Sequence, residues 1–142
     1  MNNEQPSVFL DTHIWIWLIN GDNRLENTSA LDLINNAVKK SSVYISIISV
    51  WELGMLEAKG RIKIQGGCLD WVKKALSIPG FRLVSLTPEI ALESSNLPGV
   101  FNGDPADRMI VASALSLNSI LITADKEIIA YGNKHLLKVS TV

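Results

Sequence analysis

The chain has 142 residues, 47% of them hydrophobic and 19% charged, with one cysteine and a formal net charge of −1. That size and balance predict a single domain over residues 1–142, large enough to bury a real core. The lone Cys68 excludes an intramolecular disulfide, no apolar run reaches the ~20 residues of a membrane span, and the polar start MNNEQPS lacks a leader pattern, so the expected location is the cytoplasm, without a membrane partner.

In chain order, "SVFLD" reads as a buried strand that stops on an aspartate, and "THIWIWLI" begins a helix with Thr12 near its start. The turn-rich "GDNRLENTS" leads to "SALDLINNAVKK", where Leu31, Ile34 and Val38 recur at helical spacing and two lysines close the element. "SVYISI" is a second strand. Either Ser46 or Ser49 can cap the helix "VWELGMLEAKG", which stops at Gly60. "CLDWVKKAL" is an amphipathic helix ended by "IPG", and "FRLVSL" is a third strand. "TPEIALESSNL" has Thr87 as N-cap and Pro88 at the first helical position. After the loop "PGVFNG" come the helix "DPADRMIVASALSL", the strand "SILIT", the short helix "ADKEIIAYG" and an edge strand "LLKVS".

Strands alternate with helices throughout, without repeats or linkers. That pattern predicts an α/β domain with a central, mostly parallel sheet of four to five strands covered by helices on both faces. In such sheets ligands bind beyond the carboxyl ends of the strands. Asp11 ends the first strand, Glu52 lies in the first turns of the helix after the second, Asp104 and Asp107 open the helix before the fourth, and Asp125 follows that strand. Carboxylates crowded at one sheet edge repel unless a cation joins them or some stay protonated. Hard oxygen ligands select Mg²⁺ or Mn²⁺, and with only His13 and His135 present no zinc-type cluster competes.

Each acid also has an ordinary reading. Asp104 before Pro105 suits an N-cap, Asp107 gains from a helix N-terminus, Asp125 caps the last helix and Glu52 is a solvated position. Their joint placement carries the inference. Setting the five aside leaves thirteen bases against nine acids, a cationic body around an anionic pocket. Eight basic residues against three acidic ones lie between Lys39 and Arg82, either solvated helix faces or a surface for a polyanion.

The blocks "LDTHIWIWL", "SVWELGMLEAKGRI", "LTPEIALESSNLPG", "DPADRMIVASA" and "LITADKEIIAYG" together resemble a PIN-domain ribonuclease, the VapC-like toxin of type II toxin–antitoxin systems, in matching order from about Val8 onward. The resemblance implies a three-layer, Rossmann-like PIN fold and Mg²⁺- or Mn²⁺-dependent hydrolysis of RNA. It also implies a metal-binding and catalytic quartet at Asp11, Glu52, Asp107 and Asp125. Asp11 is expected to anchor the tightest ion with Glu52 and Asp107, and Asp125 to hold a second, weaker one. Asp104 is implied as an auxiliary ligand or cap, and Thr123 as a hydroxyl near the metal. Arg108 either touches phosphate or pairs with a neighbouring acid. One departure is Asn102, where relatives often carry His; Asn exchanges no proton near neutral pH.

The implied partners are RNA, a cognate antitoxin protein and a second copy in a homodimer. The hypothesis for the antitoxin is an apolar groove shared by the first helices, near Trp15, Trp17, Trp51 and Met55, whose default place is the core. His13, flanked by Ile and Trp, is expected to pack rather than to catalyse. A haloacid-dehalogenase-type phosphatase requires a second Asp where His13 stands. A non-toxin PIN-fold nuclease, including one acting on DNA, or a catalytically silent RNA-binding module, is the alternative. An intact quartet speaks against the silent form.

Overall fold

Short runs rich in β-branched residues build the sheet: β1 (Val8–Leu10), β2 (Val43–Ser46), β3 (Phe81–Val84), β4 (Ile120–Thr123) and β5 (Val139–Thr141). The computed structural model describes residues 6–142; the polar start read above as leaderless lies largely outside the described residues. All strand pairs are parallel, in the order β3-β2-β1-β4-β5, with Val8 opposite both Val43 and Ile120. The expected sheet is thus found, fully parallel and with five strands.

Helices α1 (Thr12–Asn20), α2 (Ser29–Lys39), α3 (Ile47–Ala58), α4 (Cys68–Ser77), α5 (Pro88–Ser95), α6 (Pro105–Ser116) and α7 (Lys126–Lys134) connect the strands. The period of two along each strand makes the three layers. Val8, Leu10, Val43, Ile45 and Ile122 pack with Ile14 and Trp15 of α1, Ile34 of α2, Leu53 of α3 and Val72 of α4. Phe9 and Leu121 point the other way, against Ile90 of α5, Ile110 and Val111 of α6 and Ile128 of α7. Fully burying one such side chain is worth about 1.5–3 kcal/mol.

Element ends follow capping chemistry more closely than hydrophobic pattern. Ser46, not Ser49, caps α3, its Oγ accepting the Ile48 N–H at 2.9 Å, so the helix begins before "VWELG". Thr87 and Asp104 cap α5 and α6, each followed by Pro at the first helical position. The link after α1 contains a 3-10 turn at Asn23–Leu25, capped by Asp22. β5 starts later than "LLKVS" suggested, because Leu136 is exposed and Leu137 turns into the core ahead of the strand.

The chain winds outward from β1 in both directions, through β2 to β3 on one side and through β4 to β5 on the other. The crossovers therefore diverge between β1 and β4, and a crevice opens above their carboxyl ends.

Candidate functional site

Asp11 leaves β1 at that crevice. Its backbone N–H donates to the Ile122 carbonyl of β4, which fixes the strand end, and its side chain caps α1. The carboxylate is only 7% exposed. Oδ1 accepts the Thr12 N–H at 2.9 Å and Oδ2 accepts the Thr123 hydroxyl at 2.7 Å. Thr123 in turn accepts the Asp125 N–H at 3.0 Å, so one hydroxyl at the end of β4 orients two acidic positions.

Glu52 reaches the same place from α3. Its Oε1 accepts the Thr12 hydroxyl at 2.6 Å, and that hydroxyl lies 2.8 Å from Ser49 Oγ. Because the Thr12 proton is committed to the carboxylate, Ser49 donates to Thr12. Asp104 Oδ1 accepts the Asp107 N–H at 2.8 Å, which caps α6 and sets the two acids side by side at its start. Asp125 Oδ1 accepts the N–H groups of Glu127 and Ile128, capping α7.

Asp11, Glu52, Asp104, Asp107 and Asp125 all line one pocket of about 320 Å³, with His13, Trp17 and Ala124 completing its wall. No lysine or arginine lines it, and the ion pair found among the described residues, Arg24 with Asp22, involves none of its lining residues. The electrostatic consequence is large. Burial and then the charges of Asp104, Asp11, Asp125 and Glu52 push the Asp107 carboxyl up to about 7. Burial likewise raises Asp11, against the bonds from Thr123 and Thr12, and raises Glu52, against the bond from Thr12. A crowd of oxygen donors that no cation neutralises fits a hard divalent ion, and does not fit a soft one.

The structure brings together every member of the expected quartet, with Asp104 both capping α6 and facing the pocket. Thr123, implied above as a hydroxyl near the metal, donates to Asp11. Among the described residues Arg108 makes no ion pair with an acid. Its Nε donates to the Ser94 carbonyl at 2.7 Å and its Nη1 to the Phe101 carbonyl at 2.8 Å, which ties α5 and the following loop to α6. His13 also differs from expectation: it is exposed at the pocket wall, since every third or fourth position of α1 turns away from the core. Asn102 is exposed and lines a different pocket, beside Glu127 and Lys134.

Trp15 is fully buried, whereas Trp51 is exposed and, with Met55, lines a groove between α3 and α6; the first helices α1 and α3 do not share it. The basic residues between Lys39 and Arg82 are all exposed and none lines the acidic pocket. Sequence reading missed Thr12 and Ser49 as site residues. The available signal was a hydroxyl residue next to Asp11 and another three positions before Glu52, each able to orient a carboxylate.

The PIN domain family model matches residues 8–134. The chain is 32% identical over 122 residues to ribonuclease VapC22 of Mycobacterium tuberculosis, covering 86% of this chain and 89% of that protein. Among solved structures, VapBC2 from Rickettsia felis bound to a DNA fragment from its promoter matches with a TM-score of 0.68 at 18% identity, over 94% of this chain and 97% of that one. A toxin–antitoxin complex from Klebsiella pneumoniae matches with a TM-score of 0.55 at 23% identity, over 86% and 90% of the two chains. DNA-bound VapBC from Salmonella typhimurium matches at 0.62 and 17% identity, over 96% and 98%. These likenesses to solved structures show the shared fold.

Proposed function

The chain belongs to the PIN-domain family, in its VapC-like branch, and from that premise we propose that it is a divalent-metal-dependent endoribonuclease whose activity a cognate antitoxin restrains. The observation that carries this reading is the convergence of Asp11, Glu52, Asp107 and Asp125 on one pocket without any cationic partner among its lining residues. In this reading those four side chains hold Mg²⁺ or Mn²⁺, with Asp104 as an auxiliary. The ion, when bound, supplies Lewis-acid stabilisation and a more acidic water for phosphodiester hydrolysis.

The chain's own residues prepare that chemistry. Thr123 and the Thr12 amide fix both Asp11 oxygens, so this ligand meets its ion in a set orientation at little entropic cost. Thr12, held by Ser49, does the same for Glu52 and ties α1 to α3 across the pocket. Burial and the neighbouring acids push Asp107 up to about 7, so a proton and a cation compete for its carboxylate. The Asp125 Oδ1 is spent on capping α7, which leaves Oδ2 for the site. The remaining partners in this reading are RNA and a second copy of the chain, for which the exposed Leu83 and Leu92 offer apolar surface.

Asp11→Asn tests the reading. The variant keeps the helix cap but loses the charge, and RNA cleavage in Mg²⁺ is expected to fall by about 100-fold or more. Growth arrest on expression without antitoxin should disappear with it. Cleavage by Asp11→Asn at the wild-type rate, or wild-type cleavage undiminished in excess chelator, would defeat the proposal.

A further inference from the structure

Beside the acidic pocket lies a second cavity of about 330 Å³ between α3 and α6, walled by Ile48, Trp51, Met55, Leu86 and Met109. Its volume falls at the lower end of the ~300–1,000 Å³ typical of small-ligand sites. Two features set it apart from an ordinary surface dimple. Trp51 is 58% exposed, a large aromatic left uncovered where the other wall residues are mostly aliphatic. Among the described residues, the only ionisable groups on its wall are Glu52 and Asp104, and both also line the acidic pocket. The two cavities are therefore neighbours with Glu52 and Asp104 on both walls, one acidic and the other aromatic, and Trp51 and Glu52 are consecutive in α3.

We propose that the Trp51 groove is a nucleobase subsite, in which the unpaired base next to the scissile phosphate stacks on the indole and turns an exocyclic amine to Asp104. The inference rests on the ribonuclease reading above and gives it a specificity element. A strand whose phosphate sits among the acids has its neighbouring base within reach of the groove, because the two spaces share a wall. Stacking on an exposed aromatic ring is the usual way to hold an unpaired base. The carboxylates on the wall only accept hydrogen bonds, so they favour a base with an exocyclic amine, adenine, cytosine or guanine, over uracil, whose single N3–H donor is flanked by two carbonyl oxygens that a carboxylate repels. A protein helix would seek anchors repeated every three to four residues along a longer apolar track. This groove is short and ends on charge.

The test uses the full-length protein, a randomised twelve-nucleotide RNA pool and sequencing of the cleaved ends. Wild-type ends should show an amine-bearing base enriched at one position flanking the cut. Trp51→Ala should erase that enrichment and lower kcat/KM by about 10–100-fold, the scale of one lost base stack, while Trp51→Phe restores most of both. In parallel, Asp11→Asn protein bound to the same pool and irradiated at 254 nm should crosslink through the peptide containing Trp51. That arm reads RNA contact without cleavage, so failure of the nuclease reading shows as absent cleavage with the Trp51 crosslink retained. Wild-type cut sites and rate in Trp51→Ala, enrichment of uracil, or crosslinks confined to other peptides would overturn the subsite. So would a Trp51→Ala variant that cleaves normally and only escapes inhibition by a protein partner.

Discussion

The two ends of the sheet are built from opposite materials. At the amino end the central strands β1 and β4 are closed by neutral bonds: Val8 N–H to the Ser42 carbonyl, Ile120 N–H to the Ser7 carbonyl, and the hydroxyls of Ser7 and Ser119 2.6 Å apart. Gly80 there takes φ +97° and lies so close to Val38 that an added Cβ would meet its carbonyl oxygen at 2.7 Å. At the carboxyl end five carboxylates share one pocket, and burial with mutual repulsion drives Asp107 up to about 7. One end is optimised to stay folded; the other holds charge that folding alone opposes. On the proposed reading, the difference marks where a site is held at a cost in stability.

Three measurements press on that contrast. The largest effect belongs to Asp107→Asn, which should reduce metal-dependent cleavage by about 100-fold or more. The same change should raise the melting temperature of the metal-free protein, because it removes a charge that its neighbours repel. If activity and metal-free stability both fell, the acidic end would not be a site of stored repulsion. Next comes Gly80→Ala at the opposite end. A side chain in that backbone region and against Val38 should cost at least about 1–3 kcal/mol in denaturant unfolding, while kcat of the folded fraction stays unchanged.

The smallest effect is the pH dependence of stability. Asp11, Glu52 and Asp107 have folded pKa values above their ordinary ones, so the folded state binds more protons than the unfolded chain between about 4 and about 7. Metal-free protein should therefore become more stable as pH falls from 8 towards 5. If the acids hold Mg²⁺ as proposed, the ion competes with those protons, so its stabilising effect should be greatest at pH 8 and fade at pH 5. Thermal melts in chelator and in Mg²⁺ check both slopes, and a metal-free melting temperature that rises with pH would contradict the raised values.

The gathering of Asp11, Glu52, Asp104, Asp107 and Asp125 was legible because a parallel sheet brings its strand ends and the helix starts beside them to one edge; the choice of four of the five as a quartet came from the family resemblance. The alternation of Val8, Phe9 and Leu10 between the two cores follows from the same period. What stayed hidden depends on tertiary partners. Ser46 and Ser49 are equivalent caps on paper, and only the folded chain shows Ser49 committed to Thr12. Arg108 carries a charge, which suggested an acid or a phosphate, yet its planar donors meet two carbonyls that lie 14 and 7 residues away. His13 has apolar neighbours in sequence, but on a helix the residues that share its face are three and four positions on, and Trp17 there also borders the pocket.

The bond from Thr123 to Asp11 joins residues 112 positions apart. Closing so long a loop is slow and comes only after β4 has been made and paired with β1. A nascent chain that has been translated through α6 already carries three of the four acids, yet it has no crevice to hold them. On the proposed reading, the crevice that would hold the acids is complete only once β4 lies beside β1, so the site depends on nearly the whole length of the chain.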